Sequence, residues 1–384
     1  MGNHVMTWGA RQKLLVVAII IVAMAIIIAI IMPLINVENS GQEVLIGVSV
    51  PLSGPVAALG AKAVNGMQIA VDEVNNSGGV NSKRLKLAIE DDKCNADEGT
   101  RTVNKLLNMS NAKALVIYCG AVTGAIAPLI EGKAITLSLS IRPEPLEGKY
   151  SGLFNLAPAP QKEAEIMANH IYSKGIKKVA ILYQSDFFGQ TYKDKFAKAF
   201  TKLGGVITMT GTLDNLAQPD FKTDLIKARN LNSEAIFSSF NAPQYAVILK
   251  QAKELGYSPK FFSTWNIESP QLISTAGNLA DGIEYTYTFA PGMNTVYEKF
   301  SQTFLNQFGE NPELNAANGH DSILILAQAL NICGGDINCM ITNVQSIKDY
   351  QGASGKITFQ NQMADKEIFI KTIKAGKFVP VLEK

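Results

Sequence analysis

Beyond residue 42 the apolar positions fall into short runs of two kinds, β-rich segments and stretches with helical spacing, and the two kinds alternate. Strands are expected at Val44–Val50, Leu85–Glu90, Ala114–Tyr118 and Ile135–Leu139, with helices over Val64–Val74 and Ala96–Leu107 between them. Gly78-Gly79 closes the first helix, and Asn95 followed by Glu98 has the spacing of a capping box for the second. Continuous apolar strands such as Ala114–Tyr118 point to a sheet covered on both faces, and therefore to parallel strands.

A second series follows Ala157-Pro158-Ala159-Pro160. Helix Glu163–Tyr172 leads to strand Lys178–Tyr183, helix Tyr192–Leu203, strand Val206–Thr212, helix Phe221–Asn230, strand Ala235–Ser239, helix Tyr245–Leu255 and strand Phe261–Ser263. The chain then runs through strand Gly282–Phe289, two apolar helices (Val296–Phe308 and Ala316–Ile332) and two β-like runs, Ile357–Phe359 and Ile368–Ile373. The expectation is an α/β protein of two doubly wound parallel-sheet lobes. Residues 43–159 with 290–364 make lobe 1, and 160–289 with 365–384 make lobe 2.

Ahead of both lobes, Leu14–Ile35 carries no charge and as a helix would span roughly 30 Å, enough to cross a bilayer. Arg11 and Lys13 precede it and Glu38 and Glu43 follow, which puts residues 1–13 in the cytoplasm and the bulk of the chain outside, extracellular or periplasmic. A cleaved signal peptide is the competing reading, but the run is longer than such an apolar region usually is and has no Cys to be lipidated. The segment is read as an uncleaved signal anchor, with 36–42 as a linker. The short inner segment leaves no room for a cytoplasmic signalling domain.

The chain has 384 residues, 18% charged, with Lys+Arg 35 against Asp+Glu 33 and a net charge of +2. Without a basic patch nucleic acid is not an expected partner. All four cysteines lie on the expected outer side, where disulfides persist. Proximity in sequence pairs Cys333 with Cys339 and leaves Cys94 with Cys119, each near a strand end. A zinc site competes weakly, since there is no CxxC and His4, His170 and His320 are scattered.

Catalytic signatures are missing: no GxxxxGK, GxGxxG, GxSxG or HExxH occurs. Asp91-Asp92 reads as a strand edge, Asp72-Glu73 as a helix surface and His320-Asp321 as a pair near a helix start. The chain reads as a binder and not an enzyme, with no cofactor. Ligands of open α/β sheets sit beyond the carboxyl ends of strands. Those ends here carry Ser53, the run Gly120, Ala121 and Thr123, the run Ser138, Ser140, Ile141 and Arg142, and, in the second series, Phe188, Phe240, Asn241 and Trp265. Facing sets of such loops form an inter-lobe cleft that closes on a small molecule.

The segment from Ile46-Gly47-Val48-Ser49-Val50-Pro51-Leu52-Ser53-Gly54-Pro55 through Asn65-Gly66-Met67 and Glu73-Val74-Asn75-Asn76-Ser77-Gly78-Gly79 resembles the opening of the periplasmic leucine/isoleucine/valine-binding proteins. Similarity continues through Asp91-Asp92-Lys93-Cys94-Asn95 and Tyr118-Cys119-Gly120, and more weakly over nearly all that follows. The resemblance implies a type I periplasmic-binding fold with three hinge crossovers, a disulfide at Cys94 and Cys119, and the capture component of an ABC importer working with permease subunits. It implies that Gly120–Thr123 and Ser138–Arg142 grip a ligand's carboxylate and amino group, that Phe188-Gly189 closes over it, and that Leu59 touches its side chain. Where the family has a Glu for the ligand's ammonium, alignment places Trp265. With Arg142 in the cleft and no acid, the ligand would be an apolar or aromatic acid; Arg142 reads equally well as a surface residue. The alternative function is a membrane-tethered extracellular sensor of the same fold that signals through a partner protein.

Overall fold

The computed structural model describes residues 43–141, 146, 148–213, 218–289 and 295–381. The run Leu14–Ile35 and Arg142 lie outside these residues. Among the described residues no helix is long and apolar enough to cross a membrane.

The first series is β1 (Val44–Val50), α1 (Ala57–Asn76), β2 (Leu85–Asp91), α2 (Ala96–Asn108), β3 (Ala114–Ile117), α3 (Gly120–Ile130), β4 (Ile135–Ser138) and β5 (Leu153–Asn155). The second is α4 (Pro160–Ser173), β6 (Lys178–Gln184), α5 (Phe187–Lys202), β7 (Val206–Leu213), α6 (Lys222–Asn230), β8 (Ala235–Ser238), α7 (Ala242–Glu254), β9 (Lys260–Ser263), α8 (Pro270–Ala276) and β10 (Glu284–Tyr287). The tail adds α9 (Thr295–Phe308), α10 (Leu314–Cys333), α11 (Ile337–Gln345), β11 (Tyr350–Gly352), β12 (Gly355–Gln360), β13 (Met363–Asp365), β14 (Phe369–Lys374) and β15 (Lys377–Pro380).

Two sheets result, ordered β11-β12-β13-β5-β4-β3-β1-β2 and β15-β14-β10-β9-β8-β6-β7. The chain passes between them three times, after β5, after β10 and after β13. The sheets are mixed and not wholly parallel, because the tail strands join as antiparallel additions: β12 on β13, β11 on β12, β14 on β10 and β15 on β14. Two-residue turns link β11 to β12, β12 to β13 and β14 to β15, while β13 itself joins β5 in parallel.

In lobe 1 the strand residues Ile46, Val48, Val50, Val116 and Leu137 are fully buried, as expected for strands covered on both faces. Asn95 caps α2 by accepting from the Asp97 and Glu98 amides. Helices α1 and α10 approach so closely that a Cβ at Gly66 would lie 2.0 Å from the Ala316 carbonyl oxygen, and one at Gly319 would lie 2.3 Å from that of Ala63. The sequence pattern read no helix at α3, where Gly120, Gly124 and Pro128 all lower helix propensity.

His320 and Asp321 lie inside α10 and not at a helix start. Asp321 is buried and accepts from the Ala353 and Ser354 amides, while His320 contacts Asp321 and Glu73, each at 3.3 Å. Those two carboxylates hold the imidazole up at about 9 against the opposing effect of burial. Lys366, on the third crossover, donates to Asn318 and Ser354, and burial pulls its pKa down to about 7. Asp92 likewise serves the fold, accepting from Ser49 Oγ and the Cys94 amide.

Candidate functional site

In both sheets the strand order reverses beside the strand that opens the series, at β1/β3 and at β6/β8, and the crevice beyond these carboxyl ends is where α/β sheets hold ligands. The loops there enclose a cavity of about 160 Å³ between the lobes.

On the lobe 1 side, Asp91 at the end of β2 accepts from the Leu52 amide at 2.9 Å and Ser53 Oγ at 2.6 Å, which folds the loop after β1 back on the sheet. Ser53 is therefore spent on loop shape and does not line the cavity; Val56 and Leu59 do. Cys94 and Cys119 form a disulfide with Cα atoms 5.4 Å apart and contribute to the wall, and Cys333 pairs with Cys339 at the far end of α10. Gly120 and Ala121 open α3 against the cavity, and Ser140 lines it after β4. The first N–H groups of a helix have no internal partner and carry partial positive charge, which favours an anionic group. Thr123 and Ser138 sit behind this wall: Thr123 Oγ1 donates to the Cys119 carbonyl, and the two hydroxyls meet at 3.0 Å, tying the α3 start to the end of β4. Ile141 is fully buried in lobe 2's core.

Lobe 2 contributes the turn from β6 to α5. Asp186 caps α5 by accepting from the Gly189 amide at 2.8 Å, and Gln184 Nε2 donates to its other oxygen at 2.7 Å. A Cβ at 189 would come within 2.0 Å of the Gln184 carbonyl oxygen, so only glycine permits this turn. Asp186 faces the cavity, and its desolvation raises its pKa despite those hydrogen bonds. Phe187 and Phe188 follow it on the wall. Phe188 stands edge-on to Trp265, ring centroids 5.9 Å apart. Trp265 Nε1 donates to Tyr192 Oη at 3.2 Å, and Tyr192 and Thr286 both donate to buried Glu163, whose pKa burial lifts to about 7. Asn241 and Asn266 complete the wall, with Asn266 Nδ2 donating to Asn241 Oδ1 at 3.2 Å. Phe240 is fully buried and packs on Phe221, centroids 5.0 Å apart, facing away from the cavity.

Of the sequence-predicted positions, Leu59, Gly120, Ala121, Ser140, Phe188, Asn241 and Trp265 line this one cavity from its two sides. Ser53, Thr123, Ser138, Ile141 and Phe240 do not. Tyr118, Gln184, Asp186, Phe187, Asn266 and Asn315 join without having been singled out. Glu313 bridges the lobes at the mouth, taking Lys62 Nζ at 2.5 Å from lobe 1 and Ser269 Oγ at 2.8 Å from lobe 2. Among the described residues no group of three His, Cys, Asp or Glu side chains is placed to hold a metal ion.

The chain belongs to the periplasmic binding protein family, whose sequence profile matches residues 43–377. It is 26% identical over 304 residues to the amino acid binding protein of Pseudomonas aeruginosa, an alignment covering 77% of this chain and 80% of that one. It is 24% identical over 304 residues to Leu/Ile/Val-binding protein homolog 1 of Brucella abortus, covering 78% and 81%. In structure it is similar to the branched-chain amino acid transporter substrate-binding protein LivJ of Streptococcus pneumoniae, solved in complex with isoleucine. That match has a TM-score of 0.80 at 22% identity and covers 88% of this chain and 99% of that one.

Proposed function

We propose that this protein is the extracytoplasmic solute-binding component of an ABC importer and that it captures a small amino acid in the cleft between its lobes. The observation that carries this reading is a matched pair of head-group sites on one cavity, the α3 N-terminus at Gly120 and Ala121 for a carboxylate and Asp186 for an ammonium. The β6–α5 turn thus supplies the acid that Trp265 displaces from the family position. A zwitterion fits this pair better than an acid lacking the amine. The names of the relatives support amino acids as the solute class.

Contacts between the lobes, Phe187 against Gly120 and Ser269 Oγ on Glu313, support capture by closure of the lobes around the ligand. The uncharged run Leu14–Ile35, with Arg11 and Lys13 before it, supports a tether that keeps the protein beside its permease.

The test is a thermal-shift panel on the full chain with disulfides formed, using the protein amino acids and apolar acids without an amine. A ligand at a hundred times its dissociation constant adds about 2.7 kcal/mol to the folded state. Stabilisation by one or a few amino acids is expected; stabilisation by amine-free acids alone defeats the zwitterion reading.

A further inference from the structure

We propose that Asn315 makes the side-chain end of the cleft a subsite for a hydrogen-bonding group, an amide or a hydroxyl, in place of a branched aliphatic one. This rests on the amino-acid reading above and names the class of amino acid.

Asn315 is the second residue of α10, 5% exposed, and it lines the inner cavity. Its Oδ1 is buried and has no hydrogen-bond partner. Among the described residues several buried side-chain atoms lack a partner, but only this one belongs to a residue of the cavity wall. Buried polar atoms are nearly always paired, and one left unpaired at a binding wall is met by what binds there. Rotating the amide by half a turn would leave its NH₂ in the same position. An amide or hydroxyl both donates and accepts, so it satisfies either orientation.

The position separates this group from the ligand's head. The head-group sites lie at the starts of α3 and α5. Asn315 lies on α10, which packs directly on α1, the helix that carries Leu59. From that wall the cleft continues outward into a second space of about 570 Å³, which shares Val56, Leu59, Asn241 and Asn266 with the first. Its further lining mixes the polar side chains of Lys62, Ser269, Gln271 and Glu313 with Pro55, Ala58, Ala242 and Pro243. A leucine or valine side chain would leave Asn315 unpaired inside the closed protein, whereas a side chain that hydrogen-bonds would not.

The test is calorimetric titration of the full chain with near-isosteric pairs: leucine and asparagine, valine and threonine, phenylalanine and tyrosine. The polar member of at least one pair is expected to bind at least tenfold more tightly than its apolar partner. Asn315→Leu should cancel or reverse that preference, and Asn315→Asp, which keeps an acceptor of the same shape, should preserve threonine over valine or tyrosine over phenylalanine. Tighter binding of the apolar member in every pair by the unmodified protein overturns the inference, even if Asn315→Leu fails to fold. An unchanged polar preference in a folded Asn315→Leu also overturns it, while leaving the amino-acid reading intact. Binding of no amino acid at all defeats that reading, and this inference with it.

Discussion

Phe187 of lobe 2 lies against Gly120 of lobe 1: a Cβ at residue 120 would stand 3.1 Å from Phe187 Cδ1 and 2.6 Å from the Ile141 carbonyl oxygen. The ring can yield but the carbonyl cannot without moving the loop after β4. Gly120→Val is therefore expected to displace the loop after β4 and crowd Phe187 at the head-group site, weakening ligand binding by about 2 kcal/mol or more, over tenfold. The unliganded melting temperature should fall as well, because the contact with the Ile141 carbonyl is present with or without ligand. Unaltered affinity in this variant would show that the two lobes do not meet there in the bound state.

Asp186→Asn keeps the α5 cap, because an Asn oxygen can still accept from the Gly189 amide, but removes the negative charge from the cavity. Loss of a charge-assisted hydrogen bond costs about 1.5–3 kcal/mol, so affinity for the amino acid should fall roughly tenfold to a hundredfold, with stability of the empty protein little changed. Affinity for an amine-free analogue should stay level or rise. Equal losses for both ligands would remove Asp186 from ammonium recognition.

His320 has a folded pKa of about 9, raised above its ordinary 6.5 by Asp321 and Glu73. A raised cationic pKa adds stability that is complete below 6.5 and is lost as pH rises through 9, here up to about 3 kcal/mol. Lys366, lowered to about 7 from 10.5, acts in the opposite sense over part of that window. The difference in urea stability between the unmodified protein and His320→Gln isolates the histidine. It should shrink between pH 6.5 and pH 9, and a pH-independent difference would refute the ion-pair assignment.

The Cys94–Cys119 bridge closes a chain separation of 25 residues, which corresponds to about 3.5 kcal/mol of stability in the chain-entropy picture. The double Ser variant should lose about that much. Because both cysteines line the cavity beside Gly120, its ligand affinity should fall as well, whereas the same change at Cys333 and Cys339 should cost stability and leave affinity alone.

Residue patterns anticipated the two βα series and much of the cleft lining, since apolar strands and their following loops announce themselves locally. They did not show that the tail strands pair antiparallel, because additions such as β14 on β10 join residues distant in sequence. Phe240 read as a cleft aromatic because it follows a strand, yet Phe221 from a separate helix start claims its ring. Alignment puts Trp265 where the family has its acid, whereas Asp186 belongs to the strand-end loop Gln184–Gly189, of which Phe188 alone stands out as a candidate in the sequence. The role of Asp186 as a helix cap was legible from position; its access to the cavity depends on how the lobes meet. Asn315 gave no signal, as its helix was expected to start one residue later.

The most direct measurement is calorimetric titration of the full chain with the amino acid that stabilises it most, alongside the same compound lacking its amine and the same compound lacking its carboxylate. Capture of a zwitterion between the α3 N-terminus and Asp186 predicts that removing either group weakens binding by tenfold or more. Undiminished binding of the amine-free compound would contradict it.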